Sequence, residues 1–213
     1  PGVQMYGIIS ALRDEPSIKL IVPRHEQATT YMADGYFRST GKTGVALVVP
    51  GPGIYNAGAG LSTAYSRSSS VVLIAGQIPR KTIGKDFGGL HEVNDQLEIT
   101  HPITKWQKRI FNPNEVPEAV HMAFNISKTG RTRPVHLELP PETMVEKQEV
   151  NLLDPIPFEI NEDIDKVAEV IEHINTSRNP VIYAGGGIAR SNSEELFMKF
   201  VDHSGIPVIT SAS

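Results

Sequence analysis

The sequence has no cysteine, which excludes disulfide bonds and thiolate metal sites. It also lacks any apolar run near the ~20 residues that a membrane-spanning helix needs, so no membrane partner is expected. No cluster of Lys and Arg stands out, and the formal net charge is −4, so we expect no nucleic-acid partner. The missing cysteines, and first residues unlike a signal peptide, favour a cytoplasmic location.

What is present is an ordinary globular composition, with 39% hydrophobic and 21% charged residues. Short apolar runs alternate with segments of helical periodicity, which predicts an α/β fold with parallel sheets. The predicted strands are 19–22, 45–49, 71–76, 103–110, 135–139, 181–187 (a strand and glycine turn) and 206–210. The predicted helices are 26–39, 54–66, 114–128, 162–175 and 193–203.

A proline-rich stretch without clear periodicity separates two series of these elements. It predicts a linker at 142–161, between a first domain at 1–141 and a second at 162–213. The chain opens on a Pro-Gly turn without an initiator Met, and it ends where a strand finishes. We therefore expect both ends to be cut and the second domain to be truncated.

Unusual residues follow the first three predicted strands, at 24–26, 51–56 and 76–77. The carboxyl ends of strands are where open parallel sheets bind ligands, so we expect these places to form one crevice. Glu26 has two interpretations. It either stabilises the start of a helix, or it is a partly desolvated carboxylate with a raised pKa that shares a proton with a ring nitrogen.

The other candidates also have two interpretations each. Gly51 either lets a ligand approach the backbone or makes a plain strand-to-helix turn, and Asn56 either contacts a ligand or caps a helix. The GGGIAR segment at 185–190 fails the dinucleotide fingerprint, because Arg190 stands at the third glycine position, so NAD binding is disfavoured. No histidine has metal-site spacing; His91 is kept because it lies in a long polar loop.

Four segments together resemble, in order and spacing, the acetolactate synthase branch of the thiamine-diphosphate enzymes. They are RHEQATTYMADGYFRSTGKTGVALVV, GPGIYN, VVLIAGQIPR and RPVHLELP. The resemblance implies a three-layer α/β/α domain that binds the aminopyrimidine ring, then the start of a Rossmann-like domain that holds FAD in some members. In that family a C-terminal domain binds Mg²⁺ and the diphosphate through a Gly-Asp-Gly…Asn motif, which this sequence does not contain.

The resemblance also assigns roles to residues. It places the activating glutamate, which hydrogen-bonds N1′ of the pyrimidine, at Glu26, and further cofactor contacts at Pro52, Asn56 and Gln77. Gly51 is the expected point of close backbone approach to the cofactor.

Two departures from the acetolactate synthase pattern bear on the substrate. Pro50 stands where those enzymes usually have Ser, and Leu90-His91-Glu92 where they have Phe-Gln-Glu. We expect His91 to replace the family's Gln beside the substrate, where an imidazole can exchange a proton near neutral pH.

The implied activity is that of a thiamine-diphosphate-dependent 2-keto acid decarboxylase or carboligase, working as a homodimer or homotetramer with its site between subunits. The departures leave another decarboxylase, lyase or carboligase of the same family open. The alternative is a non-catalytic or separately encoded subunit that needs a partner chain. In either case we expect this chain alone to be inactive.

Overall fold

The computed structural model describes residues 2–154 and 164–211. The chain forms two compact units, Pro1–Phe158 and Glu159–Ser213. The linker predicted at 142–161 lies partly outside the described residues, and the predicted domain boundaries stay a prediction.

A four-stranded parallel sheet forms the centre of the first unit. Its strands are β1 (Gly44–Val48), β2 (Val71–Gly76), β3 (Trp106–Arg109) and β4 (Val135–Leu139), in the order β1-β2-β4-β3. The two central strands are almost entirely buried, as the continuous apolar run of β2 predicts. The sheet confirms the predicted α/β class.

Six α-helices and three single turns of 3-10 helix accompany this sheet in the described part of the first unit. The α-helices are α1 (Tyr6–Arg13), α2 (Glu26–Thr40), α3 (Pro52–Arg67), α4 (Gln96–Thr100), α5 (Val116–Lys128) and α6 (Pro141–Val145). The 3-10 turns are Val3–Met5, His101–Ile103 and Pro113–Glu115. Helix α2 ends at Gly41, whose φ of 70° gives the left-handed conformation that suits glycine at this position.

The helices cover both faces of the sheet, because successive side chains of a strand point to opposite faces. Leu73 of β2 belongs to a buried cluster with Ala33 of α2 and Leu61 of α3. The next residue towards the amino end, Val72, belongs to a second cluster with Ala119 of α5. These two clusters make the unit a three-layer α/β/α structure.

The strand predicted at 19–22 is wrong. These residues lie outside the sheet, and Leu20, Ile21 and Val22 are exposed. Their apolar run resembles a buried strand, but no described strand accepts its backbone hydrogen bonds. Val45 of β1 is likewise 47% exposed, so the expected cover on both faces of this strand is incomplete.

Three helices of the first unit, α1, α4 and α6, have no counterpart in the sequence prediction. Helix α6 begins at the predicted linker and packs against α1. Gly7 allows this approach, because a Cβ there would lie 2.6 Å from the Cβ of Met144. The start of the predicted linker is thus packed on the first unit.

The second unit contains α7 (Ile164–Thr176), β5 (Ile182–Ala184), α8 (Gly187–Arg190), α9 (Glu194–Ser204) and β6 (Val208–Thr210). Its two described strands pair in parallel. The strand and glycine turn predicted at 181–187 are both present, since β5 ends at Ala184 and the glycines that follow make the turn into α8. None of the helices in the described ranges has the length and apolar content needed to cross a bilayer.

The close crossing of α2 and α3 gives a first prediction. A Cβ at Gly60 would lie 2.4 Å from Thr30 Oγ1 and 2.7 Å from the backbone nitrogen of Tyr31. We expect Gly60→Ala to lower the free energy of unfolding in urea by about 1–3 kcal/mol, because the helices must move apart. Gly58→Ala, in the same helix with no atom within 4 Å of the added Cβ, is the control. It should raise stability by up to ~1 kcal/mol through helix propensity. Equal effects of the two substitutions would contradict the close packing.

Candidate functional site

Glu26 is the first residue of α2 and is half-buried. Its Oε2 accepts a hydrogen bond of 3.0 Å from Nδ2 of Asn56, in the second turn of α3. Since the predicted strand before Glu26 is absent, its position comes from the packing of α2 on α3. Only the other two predicted places, at Gly51 and Gln77, follow strands of the sheet.

Neither Glu26 nor Asn56 is the N-cap residue of a helix. The cap of α2 is His25, whose Nδ1 accepts the N–H of Gln27 at 3.1 Å. Asn56 lies inside α3, and its amide group donates to the carboxylate of Glu26. The helix-cap interpretation of Asn56 is therefore wrong. The helix-start interpretation of Glu26 stays open, because its carboxylate also accepts a hydrogen bond from its own backbone at the first position of α2. The side chains of Glu26 and Asn56 form a pair beside the starts of α2 and α3.

The pKa of Glu26 is lowered, which contradicts the raised value expected from its sequence environment. Burial raises this pKa, but hydrogen bonds from the backbone of Glu26 itself and from Asn56, together with the charge of His25, outweigh the burial. The carboxylate is thus ionised near neutral pH and able to accept a further hydrogen bond.

Gly51 makes the turn between β1 and α3 with φ 55° and ψ −110°. A side chain is excluded here, because a Cβ would lie 2.5 Å from the carbonyl oxygen of His91. Pro52 begins α3 and is exposed. The turn is therefore closed on one side by the loop that contains His91, and Pro52 is accessible on the surface.

His91 is half-buried, with a φ of 67° that is uncommon outside glycine. Its Nδ1 is buried and has no hydrogen-bond partner in the part of the chain that the structure describes. The neighbouring Leu90 carbonyl accepts a bond of 3.2 Å from Nε2 of Gln4. A Cβ at Gly76 would lie 2.9 Å from the Gln4 carbonyl oxygen. The structure thus brings His91 and the chain start to the carboxyl ends of β1 and β2.

Gln77, directly after β2, is buried, and both polar atoms of its side chain are engaged. Nε2 donates to Oε1 of Glu138 at 2.9 Å, and Oε1 accepts the N–H of Ile78 at 2.7 Å. Glu138 is fully buried and paired with Arg109, which also bonds Asp95 at 2.8 Å. In this arrangement Gln77 connects strand ends, and its predicted cofactor contact stays a prediction.

Comparison with known families covers both units of the chain. Residues 1–99 match the thiamine pyrophosphate enzyme N-terminal TPP binding domain, and residues 167–213 match the thiamine pyrophosphate enzyme central domain. The chain belongs to the thiamine pyrophosphate enzyme family. This confirms the resemblance inferred from the four sequence segments.

Several curated relatives are acetolactate synthase large subunits. The chain is 37% identical over 220 residues to that of Buchnera aphidicola (Acyrthosiphon pisum, strain APS), an alignment that covers 99% of this chain and 38% of the relative. It is 36% identical over 215 residues to that of Lactococcus lactis, covering 99% and 37%. A probable large subunit of Methanocaldococcus jannaschii is 37% identical over 223 residues, covering 99% and 36%. The chain thus spans little more than a third of these relatives.

Two residues at the strand ends, Gln4 and Gln96, are not indicated by any motif of the sequence. Gln96 is fully buried, and its side chain bonds the backbone of both Gly51 and Gly76. The one local signal for Gln96 is that it directly follows Asp95, the N-cap of α4. Gln4 has no such signal, because its partner Leu90 is 86 positions away.

An open cleft of about 320 Å³ lies beside the start of α3. It is lined by Tyr55, Val93, Asn94, Asp95, Glu98 and Ile99. Glu26 and Asn56 are not part of its lining. Within residues 2–154 and 164–211, no group of three or more His, Asp or Glu side chains is placed to hold a metal ion.

The lowered pKa of Glu26 predicts a pH-dependent contribution to stability. A carboxylate whose folded pKa lies below its ordinary value of 4.5 stabilises the fold above that pH. The contribution is lost as the pH falls through the folded pKa. We therefore expect wild type to have a higher Tm than Glu26→Gln at pH 7, with a difference that shrinks towards zero on acidification.

Thermal denaturation from pH 7 to pH 3 measures this difference. Asn56→Ala should reduce it, since the amide donor is removed. A Tm difference that stays constant over the whole pH range would show that ionised Glu26 has no stabilising partner.

Proposed function

We propose that this chain is the pyrimidine-binding part of a thiamine-diphosphate-dependent enzyme that decarboxylates a 2-keto acid and transfers the remaining fragment to an acceptor, as in acetolactate synthesis. The observation that carries the proposal is the half-buried carboxylate of Glu26, whose Oε2 is oriented by Asn56. The similarity to acetolactate synthase large subunits supports it.

The residues present fit the aminopyrimidine ring of this cofactor. N1′ of the neutral ring carries no hydrogen, so a hydrogen bond between N1′ and Glu26 needs one shared proton. The lowered pKa of Glu26 favours the form in which N1′ carries that proton and the carboxylate accepts it. Pro52 and Asn56 are exposed at the start of α3, directly after the buried turn at Gly51. When bound, thiamine diphosphate supplies the nucleophilic carbon and the electron sink for decarboxylation.

Glu26 would hold and move a proton at N1′. A ring packed over the carboxylate removes water from it, and desolvation raises a carboxyl pKa. The same contact that orients the ring would therefore bring the proton affinities of Glu26 and N1′ closer together. Asn56 keeps Oε2 in place, so the proton moves between atoms of fixed position.

His91 would act on the substrate side of the site. Its unpartnered, buried Nδ1 lies in the residue whose backbone closes the Gly51 turn. A ligand group near that nitrogen would satisfy it, and the imidazole could orient a 2-keto acid or exchange a proton with it.

The remaining parts of the proposal rest on the family alone. Mg²⁺ and the diphosphate would be bound by a domain outside this chain. The FAD that some members of the family hold would belong to the central domain. The enzyme would be a homodimer or homotetramer in the cytoplasm, with each active site between two subunits.

The decisive variant of the whole enzyme is Glu26→Gln. We expect kcat with pyruvate, Mg²⁺ and thiamine diphosphate to fall by about 10²–10⁴-fold, because the amide cannot exchange a proton with N1′. Glu118→Gln, an exposed position on α5, is the matched control and should leave kcat unchanged. Wild-type activity in Glu26→Gln would remove the basis of the proposal.

The role of His91 is tested by His91→Gln, which places the residue of the acetolactate synthase pattern at this position. We expect kcat/KM for the 2-keto acid to fall about tenfold or more if the imidazole exchanges a proton, with the Kd for thiamine diphosphate unchanged. His101→Gln, at an exposed position, serves as the control. If the affinity for thiamine diphosphate falls while kcat/KM of the cofactor-saturated enzyme is unchanged, His91 contacts the cofactor and not the substrate.

A further inference from the structure

Two adjacent residues, Asp95 and Gln96, connect the carboxyl ends of all four strands of the first unit. Nε2 of Gln96 donates to the carbonyl of Gly76, the last residue of β2, at 2.8 Å. Its Oε1 accepts the N–H of Gly51, just after β1, at 3.4 Å. Asp95 bonds Arg109, the last residue of β3, at 2.8 Å, and Arg109 pairs with Glu138 of β4.

The Gln96 position requires an amide side chain. One group must donate to a carbonyl and accept from an N–H, and the amide of Gln does both, whereas an ionised carboxylate only accepts. The Gln96 side chain is fully buried, so water cannot replace either bond. Without the amide, the Gly51 N–H and the Gly76 carbonyl lose this partner. The loss of folding free energy from a buried unpaired group exceeds the net contribution of the hydrogen bond itself.

The bond from Gln96 reaches Gly51, the residue of the turn that directly precedes Pro52 and helix α3. Gly51 has φ 55° and ψ −110°, values that glycine adopts readily but that are strained for other residues. Because glycine can adopt many other conformations as well, a contact from another residue is needed to keep the turn in this one. Pro52 and Asn56 follow directly on α3, and Asn56 orients Glu26. A contact that fixes Gly51 therefore sets where these side chains lie.

We propose that Gln96 is a positioning residue that holds the Gly51 turn in the conformation needed to bind the cofactor. Asp95 supports Gln96 by capping α4 at the N–H of Leu97, at 3.0 Å, and by its ion pair with Arg109. The cofactor part of this inference rests on the proposed function; the restraint on Gly51 does not.

The first test measures hydrogen exchange of the Gly51 amide in the whole enzyme without cofactor. In Gln96→Met the apolar side chain keeps a similar volume but accepts no bond, and we expect this amide to exchange about tenfold faster. Gln107→Met is the matched control. Gln107 bonds Leu97 O at 2.8 Å and Thr100 Oγ1 at 2.6 Å on the same helix but does not bond Gly51, so Gly51 exchange should stay as in wild type.

The second test titrates thiamine diphosphate in the presence of Mg²⁺. We expect Gln96→Met to raise the Kd about tenfold, while kcat at saturating cofactor changes less than about threefold, because the reacting groups are intact. A purely structural role would lower Tm and leave this Kd unchanged. Gln96→Leu, which also neither donates nor accepts a hydrogen bond, should behave like Gln96→Met and serves if the latter does not fold.

The outcomes separate the two proposals. Unchanged Gly51 exchange in folded Gln96→Met or Gln96→Leu overturns the positioning role. So does faster exchange with an unchanged Kd for thiamine diphosphate. A wild-type enzyme that binds no thiamine diphosphate overturns the proposed function, and the exchange comparison then still reports on the restraint of Gly51.

Discussion

The site depends on the conformation of one backbone turn. At Gly51 the chain leaves β1 with φ 55° and ψ −110° and enters α3 through Pro52. No other residue fits, because the carbonyl of His91 occupies the space of a Cβ. The direction of α3 fixes Asn56, which in turn holds the carboxylate of Glu26. The close approach of the Gly51 and His91 backbones, which leaves no room for a side chain at position 51, thus helps to position Asn56 and Glu26.

Buried polar groups at the strand ends hold this turn at a cost in desolvation. Glu138 is fully buried, and burying a carboxylate is unfavourable unless charge and hydrogen bonds compensate for lost water. Arg109 and Gln77 supply that compensation. The pKa of Arg109 illustrates the balance: burial lowers it, but Glu138 and Asp95 outweigh burial, and the net shift is upward. Apolar residues in place of Glu138, Arg109 and Gln77 would avoid this desolvation cost, but they would not provide directional hydrogen bonds between the strand ends.

The sequence predicts the fold wherever the hydrophobic pattern determines the secondary structure. It predicts the site only in part. The bounds of β2 and β4 were predicted to the residue. The apolar run of β2 explains its burial, whereas β4 also buries His136 and Glu138. The segment at 19–22 has an apolar run like that of β2 but is exposed, since a local pattern does not show whether a neighbouring strand exists. Gln96 could not be found, because its role comes from Gly51, 45 positions away. The adjacency of β1 and β2 places Gly51 and Gln77 at the carboxyl edge of the sheet. Glu26 lies near Asn56 because α2 packs on α3, which the sequence pattern does not show.

The low pKa of Glu26 bears on how such a carboxylate could work. A group that shares a proton with a weakly basic ring nitrogen needs a proton affinity close to that of the nitrogen. The bonds from Asn56 and the backbone lower the pKa, and burial, the largest single influence, acts in the opposite direction. Any ligand that covers the carboxylate strengthens burial without removing the Asn56 bond. The proton affinity of Glu26 would then rise only when the site is filled, which keeps the carboxylate ionised and available as an acceptor until the ring arrives.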